Sequence, residues 1–212
     1  GFGAETNWGV GGETAGILHP TKRWDGLTIT RLPAGYAVSA TPMQVHLAMS
    51  SIANGGHLMR PKVVCRILNE AGEAIIEFSD RERRQVVSKE TASLLAEMLV
   101  AVVSTQGTAR RAIIPGFEVA GKTGTSRKII NGVYSHSEHF ASFSGFFPAR
   151  NPQIAITVMV DNAQLKGVAY GGSVAAPVFK EIGERLIQYF ALTPVSDDPE
   201  RIYAQLNRES QR

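Results

Sequence analysis

Three stretches of the chain carry apolar residues at helical spacing. Val45, Ala48, Met49 and Ile52 fall on one stripe of a helix. Thr41-Pro42-Met43-Gln44 reads as its start, with Thr41 as N-cap, Pro42 in the first turn and Gln44 completing a capping box. Asn54-Gly55-Gly56 ends it. Ser88 caps a second helix, in which Leu94, Leu95, Met98, Leu99 and Val102 form the apolar face and Thr105-Gln106-Gly107 the stop. Ser173 opens a third, with Ala175, Val178, Phe179, Ile182 and Leu186 in register. Pro177 falls near its first turn, where a missing N–H matters least.

The intervening segments read as strands. His57 to Leu68 and Ala74 to Phe78 flank the turn Asn69–Gly72. Phe117 to Thr125, Phe140 to Phe147 and Ile154 to Val160 follow, the first two joined through the tight-turn pair Asn131-Gly132. Residues 1–38 are irregular and rich in glycine breakers, and 191–212 form a polar tail with at most one short helix. The order is helix, small strand pair, helix, three strands, helix. Three strands on short links pair antiparallel, so the fold is α/β of the α+β kind: an antiparallel sheet with helices packed on its faces, in one unit over 1–190.

Composition narrows this little. With 43% hydrophobic and 19% charged residues and a net charge of +3, the 212-residue chain can bury a core. Outside Arg81–Arg84 and Arg110-Arg111 the cations are scattered, which is no nucleic-acid footprint. The single cysteine, Cys65, excludes an internal disulfide or a cysteine zinc cluster and reads as a small buried hydrophobe. No apolar run approaches the ~18 residues of a membrane helix. A start at Gly1, without Met, reads as a piece of a longer chain. His136-Ser137-Glu138-His139 lacks a zinc spacing and reads as a solvated hairpin loop; no metal or cofactor is expected.

One segment carries chemistry, and it has two readings. Gly116 to Thr123 satisfies G-x-x-x-x-G-K-[ST], the phosphate-binding P-loop of an NTPase, and the apolar run Ile154–Val160 ends at Asp161 as a magnesium-holding strand does. A P-loop needs a flexible glycine cradle and a helix from the Lys onward. The cradle here is Phe117-Glu118-Val119-Ala120, without glycine and alternating like a strand, and the Asn131-Gly132 turn leaves no room for a long helix. As a strand, the segment sets Lys122 and Gly124 on one side and Thr123 and Thr125 on the other. Gly124 at a sheet edge lets a peptide-like ligand lie alongside. Lys122 supplies a cation, the threonine hydroxyls donors for a carboxylate, and a backbone N–H near Thr125 a donor for an oxyanion.

Lys122-Thr123-Gly124-Thr125 resembles the K-T-G-[TS] motif of penicillin-binding proteins and serine β-lactamases. The similarity extends through Gly35–Gln44 with Ile52–Gly56, Phe140–Pro148 and Tyr170–Phe179, in the family's order across about residues 1–190. Arg31-Leu32-Pro33-Ala34-Gly35-Tyr36 and Tyr170-Gly171-Gly172 lean towards the class B, septal cell-division type. The resemblance implies an incomplete transpeptidase-like fold and a peptidoglycan D,D-transpeptidase. In that reaction a serine attacks the D-Ala-D-Ala bond of a stem peptide, and an amine resolves the acyl-enzyme. It also implies β-lactam antibiotics as ligands, cell-division proteins as partners, a membrane anchor upstream and the outer face of the bacterial inner membrane as location.

By the same resemblance Lys122, Thr123, Gly124 and Thr125 bind substrate, and Lys122 and Thr125 are the catalytic members. Thr125 gives its amide to the oxyanion hole; Lys122 supports the S-x-N serine and attracts the substrate carboxylate. Neither S-x-x-K nor S-x-N occurs in the 212 residues: Ser126-Arg127-Lys128 is too short and Ser51-Ile52-Ala53-Asn54 too long. The chain alone is therefore expected to be inert. A non-catalytic interaction module related to the family is the alternative.

Overall fold

The computed structural model describes residues 1–163 and 168–194, the His136 side chain excepted, so the helix considered for the tail lies outside the described residues. The leader contains the short antiparallel pair β1 (Ile17–Leu18) and β2 (Val38–Ser39), with α1 (Thr28–Arg31) between them. α2 (Pro42–Ala53) follows with the expected capping box: Gln44 N donates to Thr41 Oγ1 at 3.1 Å and Thr41 N to Gln44 Oε1 at 2.9 Å. Gln44 does more than cap. Its Nε2 donates to the carbonyls of Ala4 and Ala15, both at 2.8 Å, and so fastens the irregular leader to the helix.

The expected strand from His57 to Leu68 is two strands. β3 (His57–Met59) ends before Pro61, which has no N–H for a ladder, and β4 (Arg66–Leu68) begins after it. β4 pairs with β5 (Ala74–Glu77) and β3 with β6 (Glu82–Gln85), a strand the hydrophobic pattern did not mark because Glu82-Arg83-Arg84-Gln85 has no apolar residue. Cys65 is exposed in the loop before β4, not buried. Ser88 caps α3 (Lys89–Val103) by accepting from Thr91 N.

β7 (Ala120–Ile130), β8 (Val133–Phe147) and β9 (Ile154–Asp161) form the central antiparallel sheet in the order β7-β8-β9. Asn131 (φ 52°) and Gly132 (φ 80°) make the two-residue turn that Asn-Gly dictates. β8 starts earlier than its apolar run, so residues 136–139 lie in a strand rather than in a hairpin loop. α4 (Gly171–Tyr189) closes the fold and opens at Gly171, two residues ahead of Ser173.

Helices cover both faces of the sheet. On one, Ala120 and Phe146 pack with Met49 of α2 and Val100 of α3. On the other, Phe143 and Phe147 meet Ala175, Ala176 and Phe179 of α4, with the Phe143 and Phe179 rings edge-on at 4.8 Å. The phenylalanines are thus core. The helices are rotated from their anticipated stripes. α3 buries Ala92, Val100 and Val103 while Leu94 and Met98 are 53% and 57% exposed. α4 buries Gly171, Ala175, Ala176, Phe179 and Gly183 rather than Val178 and Ile182. Small residues win because the approach is close: a Cβ at Gly183 would lie 2.7 Å from Ile114 Cδ1.

Candidate functional site at the edge of the sheet

β7 is an edge strand, and no described strand pairs with its outer side. Lys122 lies opposite Ser144, Thr123 opposite Phe143, Gly124 opposite Ser142 and Thr125 opposite Ala141. The alternation is the expected one, with Lys122 and Gly124 on one face and Thr123 and Thr125 on the other. Lys122 is exposed, and its Nζ donates to the Thr123 carbonyl at 2.9 Å. The atom nearest to a side chain built at Gly124 is Ser142 Oγ on the partner strand, at 2.5 Å.

The threonine face opens on a cleft of about 520 Å³. Its walls are Thr123 and Thr125, the segment Thr105–Thr108 with Arg110 and Arg111, and the first turn of α4. Short polar contacts join these elements. Thr108 Oγ1 lies 3.2 Å from Thr123 Oγ1, Gly171 N donates to Thr125 Oγ1 at 3.2 Å, and Arg111 Nη1 donates to the Ser173 carbonyl at 3.2 Å. Two glycines permit the approach. A Cβ at Gly171 would sit 2.1 Å from the Ser142 carbonyl and 2.6 Å from that of Gly124; one at Gly172 would sit 2.1 Å from the Thr108 carbonyl. Neither gap admits a methyl group.

Behind Lys122, on its face of the sheet, runs a polar row. Ser144 Oγ is 2.6 Å from Thr157 Oγ1, which is 3.1 Å from His46 Nδ1 on α2. Burial pushes the His46 imidazole below its ordinary pKa. His46 therefore has a structural role that helix spacing alone did not reveal. Lys128, further along β7, pairs with Asp161 at 2.8 Å and Glu138 at 3.4 Å; the hydrogen bond it donates to Asp161 holds its ammonium above the usual range.

The strand excludes the NTPase reading. Lys122 is followed by extended backbone to Ile130 where a P-loop requires a helix, and Phe117, Glu118 and Val119, where its phosphate cradle would be, are buried. Among the described residues no three His, Cys, Asp or Glu side chains cluster to hold a metal. Sequence reading placed Lys122–Thr125 together but missed Thr108, Arg110 and Arg111. Thr105-Gln106-Gly107 registered only as a helix stop and the arginine pair only as stray charge.

The transpeptidase domain model of the penicillin-binding proteins matches residues 1–184. The chain belongs to that family. Stage V sporulation protein D of Bacillus subtilis is 35% identical over 205 residues, covering 96% of this chain and 31% of that protein. The probable peptidoglycan D,D-transpeptidase PenA of Neisseria flavescens is 31% identical over 194 residues, covering 92% and 46%. Penicillin-binding protein 3 of Mycobacterium tuberculosis, solved with ampicillin, superposes with a TM-score of 0.80 at 33% identity, covering 94% of this chain and 45% of that one. The chain thus spans between about a third and a half of these relatives. Like the transpeptidase domains of that family, the chain has the mixed fold with an antiparallel sheet that its element order implies.

Proposed function

We propose that this chain carries the K-T-G-T part of a class B, septal-type D,D-transpeptidase that cross-links peptidoglycan stem peptides. The observation that carries the reading is Lys122–Thr125 on an unpaired sheet edge, beside a cleft that the two threonine side chains enter. An extended peptide ending in D-Ala-D-Ala lies along that edge. Lys122 provides the cation that draws the carboxylate in and supports the serine of S-x-N. The Thr123 and Thr125 hydroxyls hold the carboxylate, and the Thr125 amide faces the developing oxyanion. The nucleophile is a serine outside these 212 residues. Its Oγ adds to the D-Ala-D-Ala carbonyl, the terminal D-Ala leaves, and the amine of a second strand displaces the serine. β-Lactams acylate the same serine.

The names of the relatives and the ampicillin complex support this reading, as does the order of matched segments. The Arg31–Tyr36 and Tyr170–Gly172 segments support the septal type. The proposal extends to the outer face of the inner membrane, an anchor upstream and cell-division proteins as partners. No helix among the described residues is long and apolar enough to cross a membrane.

The test is acylation by a labelled penicillin. The full-length protein is expected to form a covalent adduct and the 212-residue chain none. Lys122→Ala in the full-length protein should slow acylation on the order of 10²-fold, in the range of losing one preorganised transition-state contact. An adduct on the isolated chain, or none on the full-length protein, refutes the proposal; the latter outcome favours a non-catalytic interaction module.

A further inference from the structure

Between β3 and β6 the chain leaves the body of the fold as the β4–β5 hairpin, and every residue of both strands is exposed. This is not a polar arm. Val63, Val64, Ile67, Ile75, Ile76 and Phe78 are between 43% and 63% exposed. Ile67 stands opposite Ile76 in the ladder and Ile75 belongs to the other face, so apolar side chains occupy both sides. Each strand also has one edge that no described strand pairs with, where backbone N–H and C=O groups stay open. A two-stranded ladder with neither face packed is marginal by itself, and exposed apolar patches of this kind mark contact surfaces.

Cations gather where the arm joins the body. Arg60 N donates to the Arg81 carbonyl at 2.8 Å, which sets the two backbones side by side. With Arg83 and Glu82 these arginines line a hollow of about 290 Å³. Glu82 is engaged elsewhere, 2.8 Å from His57 Nδ1, and the neighbouring Asp80 is paired with Lys62 at 2.6 Å. Among the described residues none of the three arginines has an ion pair. Arg83 reaches only the neutral Glu5 carbonyl, at 3.4 and 3.5 Å.

We propose that the arm is a docking surface for an acidic, apolar segment of a partner protein, which adds as a strand along a free edge of β4–β5 and places its carboxylates on Arg60, Arg81 and Arg83. Main-chain hydrogen bonds to the edge and contacts with the isoleucines supply the affinity, and the arginines select acidic over basic sequences. A lipid surface fits the arm less well, because hydrocarbon offers no partner for its open backbone groups. The proposal goes beyond the transpeptidase reading and does not depend on it, since none of these residues lies on β7 or lines the cleft beside it.

The experiment measures amide hydrogen exchange of the full-length protein with a blocked hexapeptide of alternating Glu and Val, and with one of alternating Lys and Val. The Glu peptide is expected to slow exchange across residues 66–77, with an affinity that falls as salt rises, and the Lys peptide to leave exchange unchanged. Arg81→Glu should weaken the Glu peptide about tenfold, the scale of one charge-assisted contact. Ile76→Ser should weaken it as well; both residues are exposed, so neither change opens the core. Arg81→Glu should still be acylated by penicillin at the wild-type rate, which separates this surface from the transpeptidase site. Equal binding of the two peptides, or no binding of the Glu peptide, overturns the proposal. Exchange across 66–77 that is already slow in the full-length protein overturns it in favour of cover by another part of the same chain. Slowing that grows with protein concentration overturns it in favour of a second copy, and slowing by phosphatidylglycerol vesicles alone in favour of a membrane contact.

Discussion

Gln44 offers the sharpest test of how the leader is held. Its side chain is almost wholly buried, at 3% exposure, and every polar atom of it is used: Oε1 accepts from Thr41 N, and Nε2 donates to the Ala4 and Ala15 carbonyls. Gln44→Glu preserves size and shape and keeps the acceptor for Thr41. It replaces both Nε2 hydrogens with lone pairs, so an oxygen faces two carbonyl oxygens. Two hydrogen bonds are lost at about 1 kcal/mol each, and leaving buried acceptors unpaired adds about 1–3 kcal/mol. The expected destabilisation is therefore about 3–5 kcal/mol near neutral pH.

The loss has a pH signature. Once protonated, the introduced carboxyl regains one donor, so its pKa in the folded state is raised above the unfolded value. The stabilising proton is fully present below the unfolded pKa of about 4.3 and is lost as pH rises through the folded value. The gap to wild type should consequently narrow on acidification. Urea unfolding followed by circular dichroism measures it; with a slope of about 2 kcal/mol/M the midpoint falls by about 1.5–2.5 M at pH 7.5. A midpoint within about 0.3 M of wild type would refute the reasoning and place the leader's anchorage elsewhere.

Three more contacts yield expectations of their own. The lowered pKa of His46 makes the neutral ring the folded form, so its contribution is complete above the ordinary value of about 6.5 and declines as pH falls below it; unfolding midpoints at pH 7.5 and 5.5 should differ less in His46→Gln than in wild type, and an unchanged difference argues against it. Gly172→Ala must move either α4 or the Thr108 backbone, which lies 2.1 Å from the added carbon, and should lower stability by about 1–3 kcal/mol with faster hydrogen exchange across residues 105–111; exchange equal to wild type would contradict the close approach. Cys65, being exposed, should react stoichiometrically and fast with an aromatic disulfide reagent in the folded chain, whereas a thiol that reacts only on unfolding would return it to the core.

Where the local signal was complete, neighbouring residues sufficed to define the element. The capping box of α2, the Asn131-Gly132 turn and the three-stranded order each depend on residues close in the chain and appear as read. The failures share a different cause. β6 has no apolar residue, so its pairing with β3 is a tertiary event with no local mark. The faces of α3 and α4 were set by where small residues allow close packing, while the reading followed the largest side chains; Leu94 and Met98 lie on the open side as a result. Periodicity reports that a stripe exists, and packing decides which stripe is buried.

The candidate site divides along the same line. Lys122–Thr125 was legible because four adjacent residues on a strand carry their geometry with them. The cleft was not, because its walls come from residues 105–111, 123–125 and 171–173, which no spacing rule connects. What joins them is the pair Gly171 and Gly172, at each of which an added Cβ would come within 2.1 Å of a carbonyl oxygen. Remove that closeness and Gly171 N no longer reaches Thr125 Oγ1, and Arg111 no longer reaches the Ser173 carbonyl. The glycines that begin α4 are thus as much a part of the site as the lysine and threonines they never resemble. Their contribution is to bring together donors supplied by other segments of the chain.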